Sequence, residues 1–118
     1  MKGLSARHEE EIGALRERRD SQRVPVTLDA VLNYQAQVMI CTVRDISLNG
    51  AFVEALPSEL PYFNAPVELG LTLTSGGETK QHRIPAKIRR LADSGAGLTF
   101  GDVEMDAYFS LVNLVYNA

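Results

Sequence analysis

From Val24 onward the chain alternates between apolar and polar positions. Val24, Val26, Leu28, Ala30, Leu32 and Tyr34 occupy every second place, with Pro25, Thr27, Asp29 and Asn33 among the residues between them. A period of two is the signature of a strand with one buried face. Residues 37–45 favour strand but are apolar at both parities, Val38 and Ile40 against Met39, Cys41 and Val43. That pattern predicts a strand covered on both sides. Ala51-Phe52-Val53 reads as a third short strand. The stretch from Leu56 to Pro66 holds three prolines and reads as a loop. Val67, Leu69, Leu71 and Leu73 then alternate with Glu68, Gly70, Thr72 and Thr74, and Gly76-Gly77 signals a hairpin. Ile84, Ala86 and Ile88 alternate with Lys87 and Arg89, Asp93-Ser94-Gly95 marks a further turn, and Ala96 to Phe100 reads as a last strand.

Both ends of the chain change period. Residues 4–19 are polar and rich in helix formers, with Leu4, Ile12 and Leu15 near one face as a thin apolar stripe. This predicts a helical N-terminal extension, over 1–17, that is either solvated or docked on a partner. At the other end Met105, Tyr108, Phe109, Leu111, Val112 and Val115 recur at helical spacing. They predict a C-terminal helix that covers an open end of the strands with this whole face in the core, and Asp102 is placed to cap it. About six short strands with tight turns predict a mainly β fold, barrel or sandwich.

Composition narrows the class. A chain of 118 residues with 45% hydrophobic content is one domain able to bury a core. The net charge of −3 argues against nucleic-acid binding, which needs a basic footprint. An anionic ligand must therefore be met by a local cluster of cations. Apolar runs are far too short to span a bilayer, and Met1-Lys2-Gly3-Leu4 lacks the apolar stretch of a signal peptide. The single cysteine, Cys41, excludes an internal disulfide and fits a reducing compartment. The expectation is a cytoplasmic protein that does not insert into membranes.

Two short motifs stand out. Arg19 and Arg23 enclose Asp20, Ser21 and Gln22, giving RxxxR, with Arg18 beside them. Asp45-Ile46-Ser47-Leu48-Asn49-Gly50 gives DxSxxG. Their order and spacing, on this strand pattern, resemble the PilZ family. The resemblance runs from about Arg18 to the C-terminus, giving a domain over 18–118. It implies a six-stranded antiparallel β-barrel with a C-terminal helix, and binding of the bacterial second messenger cyclic di-GMP. Carried over residue by residue, it implies that Arg19 and Arg23 wrap the ligand and that Asp45, Ser47 and Gly50 hold a guanine on the barrel surface. Arg18 stands where an arginine in such members often accompanies an intercalated ligand pair, so one or two ligand molecules per site are both open.

The residue chemistry suits that ligand. Guanine presents O6 and N7 side by side, and a guanidinium matches them with a two-pronged donor set. The same planar cation can stack on a base or hold a phosphate. A carboxylate such as Asp45 can accept from guanine N1 and N2. Ser47 suits a tight polar turn. Gly50 allows close backbone approach or a positive φ. Arg89, by alternation, faces away from the core and is a further ligand candidate, or simply part of a solvated strand face. Arg90 would point inward unless a bulge resets the register.

Other classes fare less well. The only histidines, His8 and His82, form no Ser-His-Asp or Cys-His arrangement. Cys41, mid-strand among apolar residues, reads as packing, no spacing suggests zinc, and no cofactor is implied. The chain reads as a non-enzyme. The rival is a PilZ-like protein-interaction module without nucleotide, which would lack one or both motifs. In either case the output passes to a protein effector that the sequence does not identify.

Overall fold

The computed structural model describes residues 22–117. The predicted extension over 1–17, the domain boundary near Arg18, and Arg18 and Arg19 themselves lie outside the described residues. Six strands follow one another: β1 (Val24–Tyr34), β2 (Gln37–Ile46), β3 (Gly50–Glu54), β4 (Pro66–Ser75), β5 (Glu78–Ala92) and β6 (Gly95–Phe100). A single helix, α1 (Met105–Asn117), closes the described chain. The strands form a closed barrel in the order β1-β2-β3-β6-β5-β4, with every neighbouring pair antiparallel. Of the two architectures the strand pattern allows, the molecule adopts the barrel. The fold is two three-stranded meanders joined by the β3–β4 connection, which includes a short 3₁₀ turn at Pro57–Glu59. α1 is too short to cross a membrane, and no helix among the described residues is long and apolar enough to do so.

Turn chemistry sets the hairpins. Gly76 and Gly77 have φ of +60° and +82°, the left-handed pair that a two-residue hairpin between Ser75 and Glu78 requires. Glycine at Gly50 and Gly95 has another cause. A Cβ there would lie 2.1 Å from the Leu98 carbonyl oxygen and 1.9 Å from that of Val53. The short β3–β6 pair can close only with hydrogen at both positions.

The core is the barrel interior. Leu32, Val43, Ile46, Val53, Leu69, Ile84, Ile88 and Leu98 are almost wholly shielded from water. Each such side chain contributes about 1.5–3 kcal/mol through burial. α1 emerges from β6 and lies over β4 and β5, contributing Ala107, Leu111 and Val115 to the core. His82 and Ser110, both buried, meet at 3.2 Å between Nε2 and Oγ and tie the helix to β5.

Three expectations are corrected. β2 is not covered on both sides: Met39, Cys41 and Val43 are buried, whereas Val38 and Ile40 are 67% and 83% exposed. A closed barrel has one interior, and no described element packs over the outer face of β2. Second, α1 buries a narrower face than its sequence suggests. Leu111 and Val115 are in the core and Val112 is half-buried, but Met105, Tyr108 and Phe109 are exposed. One side of a helix lying flat on a barrel mouth is all that the barrel can cover. Third, α1 begins at Met105, so Asp102 precedes the cap position; Glu104 accepts the first helical bond, from the Tyr108 amide at 2.9 Å. Asp106 supplies the favourable negative charge in the first turn.

The one-sided β2 gives a direct test. Met39→Ala should cost about 2–5 kcal/mol in urea unfolding, and Ile40→Ala should stay within about 0.5 kcal/mol. Cys41 gives a second. Burial pushes its thiol up to about 11 from an ordinary value near 9.0. The unfolded chain ionises first, so the stabilising effect is complete below pH 9 and is lost between pH 9 and 11. The loss is roughly 2–3 kcal/mol by linkage. Cys41→Ala should flatten the fall in unfolding free energy over that interval relative to wild type.

Candidate functional site

Two irregularities in the ladder build the site. Between β2 and β3 the pairing steps from Val43↔Val53 to Asp45↔Phe52, leaving Arg44 as the extra residue. Between β5 and β6 it steps from Ile88↔Leu98 to Arg90↔Gly97, leaving Arg89 extra. Such bulges turn two consecutive side chains to the same face. Arg44 and Asp45 both leave the interior, and Ile46 enters it. Arg89 and Arg90 are likewise both exposed. Arg90 therefore does not point inward, and the reason is a bulge.

The registers then align one row across five strands. Pro25 pairs with Asp45, Asp45 with Phe52, Phe52 with Gly97, and Gly97 with Arg90. At a strand spacing near 4.8 Å, Asp45 and Arg90 are about 14 Å apart on the outer wall. Gly97, without a side chain, lets the Arg90 side chain lie across it towards Phe52. The result is an open depression of about 430 Å³ lined by Arg23, Asp45, Phe52, Arg89, Arg90 and Gly97, with Leu98 and Thr99. Two larger depressions lie elsewhere on the described surface, beside Val38, Ile40 and Leu56 and beside Val31 and Gly70. Neither has more than one arginine in its wall, whereas this one has three.

Each charged side chain has a defined position. Arg23 Nη1 donates to Asp45 Oδ1 at 2.5 Å, with both side chains only partly shielded. A pair this exposed is worth about 0–1 kcal/mol. Arg89 Nη1 donates to Asn64 Oδ1 at 3.0 Å. The Arg90 guanidinium sits 5.6 Å from the centroid of the Phe52 ring, a cation–π contact of about 0.5–1 kcal/mol at an exposed site.

Ser47 plays a different part from its neighbours. It is 1% exposed. Its Oγ accepts from the amides of Asn49 and Gly50, both at 3.1 Å, and lies 3.3 Å from the Gly50 carbonyl. The Ser47 amide donates to the same carbonyl at 2.8 Å, and Phe100 N–H donates to the Asn49 carbonyl at 2.8 Å. The hydroxyl thus holds the β2–β3 turn closed and fixes where Asp45 stands. Gly50 is present because β6 approaches it, not for a positive φ, which it does not have.

The structure thus brings together Arg23, Asp45 and Arg89 of the expected residues. It places Ser47 and Gly50 beneath them as framework. Phe52 and Asn64 were not among the expected site residues, and Arg90 was expected to point inward unless a bulge reset the register. Phe52 carried a legible signal, since it is the middle residue of Ala51-Phe52-Val53 and must face outward if its neighbours face in.

Comparison with known proteins agrees with the fold. The PilZ domain family model matches residues 17–117. The fold is similar to the PilZ domain of CeSA from a cellulose-synthesizing bacterium, with a TM-score of 0.65 at 22% identity over 82% of this chain and 97% of that one. It is also similar to the Bacillus subtilis inhibitor of motility MotI/DgrA, with a TM-score of 0.71 at 16% identity over 80% of this chain and 48% of that one. No curated protein sequence gives a match.

Removal of the Ser47 hydroxyl strands two turn amides. Ser47→Ala should therefore lower stability by about 1–3 kcal/mol, measurable by thermal or urea unfolding, although the residue lies at the rim of the barrel. An unchanged midpoint would show that the turn holds without it.

Proposed function

The chain belongs to the PilZ domain family, whose members are generally cyclic di-GMP-binding effector modules rather than enzymes, and on that premise we propose that it is a cyclic di-GMP receptor that signals through a protein partner. The observation that carries the reading is the row from Asp45 to Arg90. It sets one carboxylate and three guanidinium groups around a shallow trough on a chain whose net charge is −3.

In this reading the Arg23–Asp45 pair holds the place of the ligand. Opening it costs little, because an exposed pair is worth at most about 1 kcal/mol. Asp45 then accepts from guanine N1 and N2. Arg23, together with Arg19 and Arg18 outside the described residues, takes the phosphates and the O6/N7 edge. Phe52 offers a flat base a surface to lie on once the Arg90 side chain lifts from its ring, and stacking of a base on an aromatic ring is worth about 1–3 kcal/mol. Arg89 and Arg90 close the far side. Two ligand molecules, with the second held through Arg18, extend the same arrangement. Capture of the 18–23 junction by ligand would move the N-terminal segment and alter the surface presented to a protein effector. The reading places the chain in the bacterial cytoplasm, where the messenger is found.

Titration calorimetry tests this, with GTP and cyclic di-AMP as controls. Selective, saturable binding is expected. Arg23→Ala should weaken it by roughly 5- to 150-fold, the equivalent of about 1–3 kcal/mol, and should leave the unfolding midpoint nearly unchanged because Arg23 is exposed. Asp45→Ala should erode discrimination against the adenine dinucleotide. A folded protein that binds none of the three nucleotides would favour the ligand-free interaction module.

A further inference from the structure

α1 presents a second apolar stripe that the barrel does not use. Met105 and Phe109 are 67% and 59% exposed, Tyr108 stands beside them, and half-buried Val112 continues the line. The spacing of four and then three residues is that of a seam prepared for another helix.

We propose that this stripe is the docking site of the chain's own residues 4–19. The position of the tether is the first argument. Gln22 Nε2 reaches the Val115 carbonyl oxygen in the last turn of α1, at 3.5 Å. Only three residue steps separate Arg19 from Gln22, at most about 10 Å of extended chain. That is the distance at which two helices pack side by side, 8–10 Å. The attachment point of the segment therefore lies beside the last turn of α1.

Length and pattern agree. Sixteen residues as a helix span about 24 Å, against about 20 Å for the 13 residues of α1. Leu4, Ile12 and Leu15 form the thin stripe that a narrow seam needs. A segment this polar has too little apolar surface to be stable as an isolated helix, and α1 offers it a partner surface.

Charge separates this occupant from a second copy. Residues 102–118 contain Asp102, Glu104 and Asp106 and no lysine or arginine, and no basic residue stands in the last turn of α1. A symmetric antiparallel pair of α1 helices would set each acidic first turn against the negative pole of its partner. The N-terminal segment instead carries Arg16 near its end, a cation outside the proposed ligand set that suits that C-terminal pole. Tethering adds an effective concentration in the millimolar range, which a free second copy at micromolar concentration does not reach.

The test is paramagnetic relaxation in the full-length protein. Glu11→Cys carries a nitroxide; Cys41 is buried and stays unlabelled. The label should broaden the Met105, Phe109 and Val112 resonances of the same molecule. The broadening should vanish when isotope-labelled, nitroxide-free chains are mixed with nitroxide-bearing, isotope-silent ones. Adding Ile12→Asp and Leu15→Asp should abolish it while the barrel resonances stay in place. Broadening that crosses between molecules would assign the stripe to a second copy and overturn the proposal. So would α1 resonances that are unaffected by the label, or broadening that survives the double aspartate substitution.

Discussion

The constraint on which the site depends is parity in a closed barrel. Strand side chains alternate, and a closed sheet has one interior, so each strand offers one parity to the core. In β2 the core takes the odd residues Met39, Cys41 and Val43. Asp45 is odd as well. Strict alternation would bury its carboxylate among them at a cost of several kcal/mol, and would expel Ile46. The bulge at Arg44 reverses the parity, so Ile46 enters the core and Asp45 reaches the outer wall. The bulge at Arg89 does the same in β5 and brings two adjacent guanidinium groups outward. Two single-residue irregularities thus assemble a charged depression without removing an apolar side chain from the interior.

The same economy governs the framework beneath. Ser47 gives its hydroxyl to the turn, and Gly50 gives up a side chain so that β6 can approach. Both are motif residues, and both hold other residues in position. The exposed members, Arg23, Asp45, Arg89 and Arg90, are held by weak contacts with partners that a ligand can replace. A rigid turn under loosely paired charges suits a receptor, because little free energy is spent in rearranging the surface on binding.

Much of the barrel was legible in the sequence. Period-two alternation located β1, β4 and β5, and Gly76-Gly77 located a hairpin whose two φ angles are positive. The site was legible where a motif marked it, at Arg23 and Asp45. Residues whose placement depends on register were not. Arg90 reaches the outer face only through a bulge, and no local pattern announces one. The apolar outer positions Val38, Ile40, Met105 and Phe109 misled for a common reason. Hydrophobicity marks a residue that can be buried, whereas the number of surfaces available to bury it is a property of the whole fold. For α1 the missing cover is assigned to the chain's own N-terminus; for β2 the described molecule supplies none.

In the proposed function cyclic di-GMP lies on the wall defined by the Asp45–Phe52–Gly97–Arg90 row. Amide chemical-shift mapping during titration with the dinucleotide tests it most directly. Saturable shifts are expected at Arg23, Asp45 to Phe52, Arg89, Arg90 and Gly97, with the outer face of β2 around Val38 and Ile40 silent. Saturable shifts centred on Val38 and Ile40, or the absence of shifts at the row in a folded sample, would contradict it.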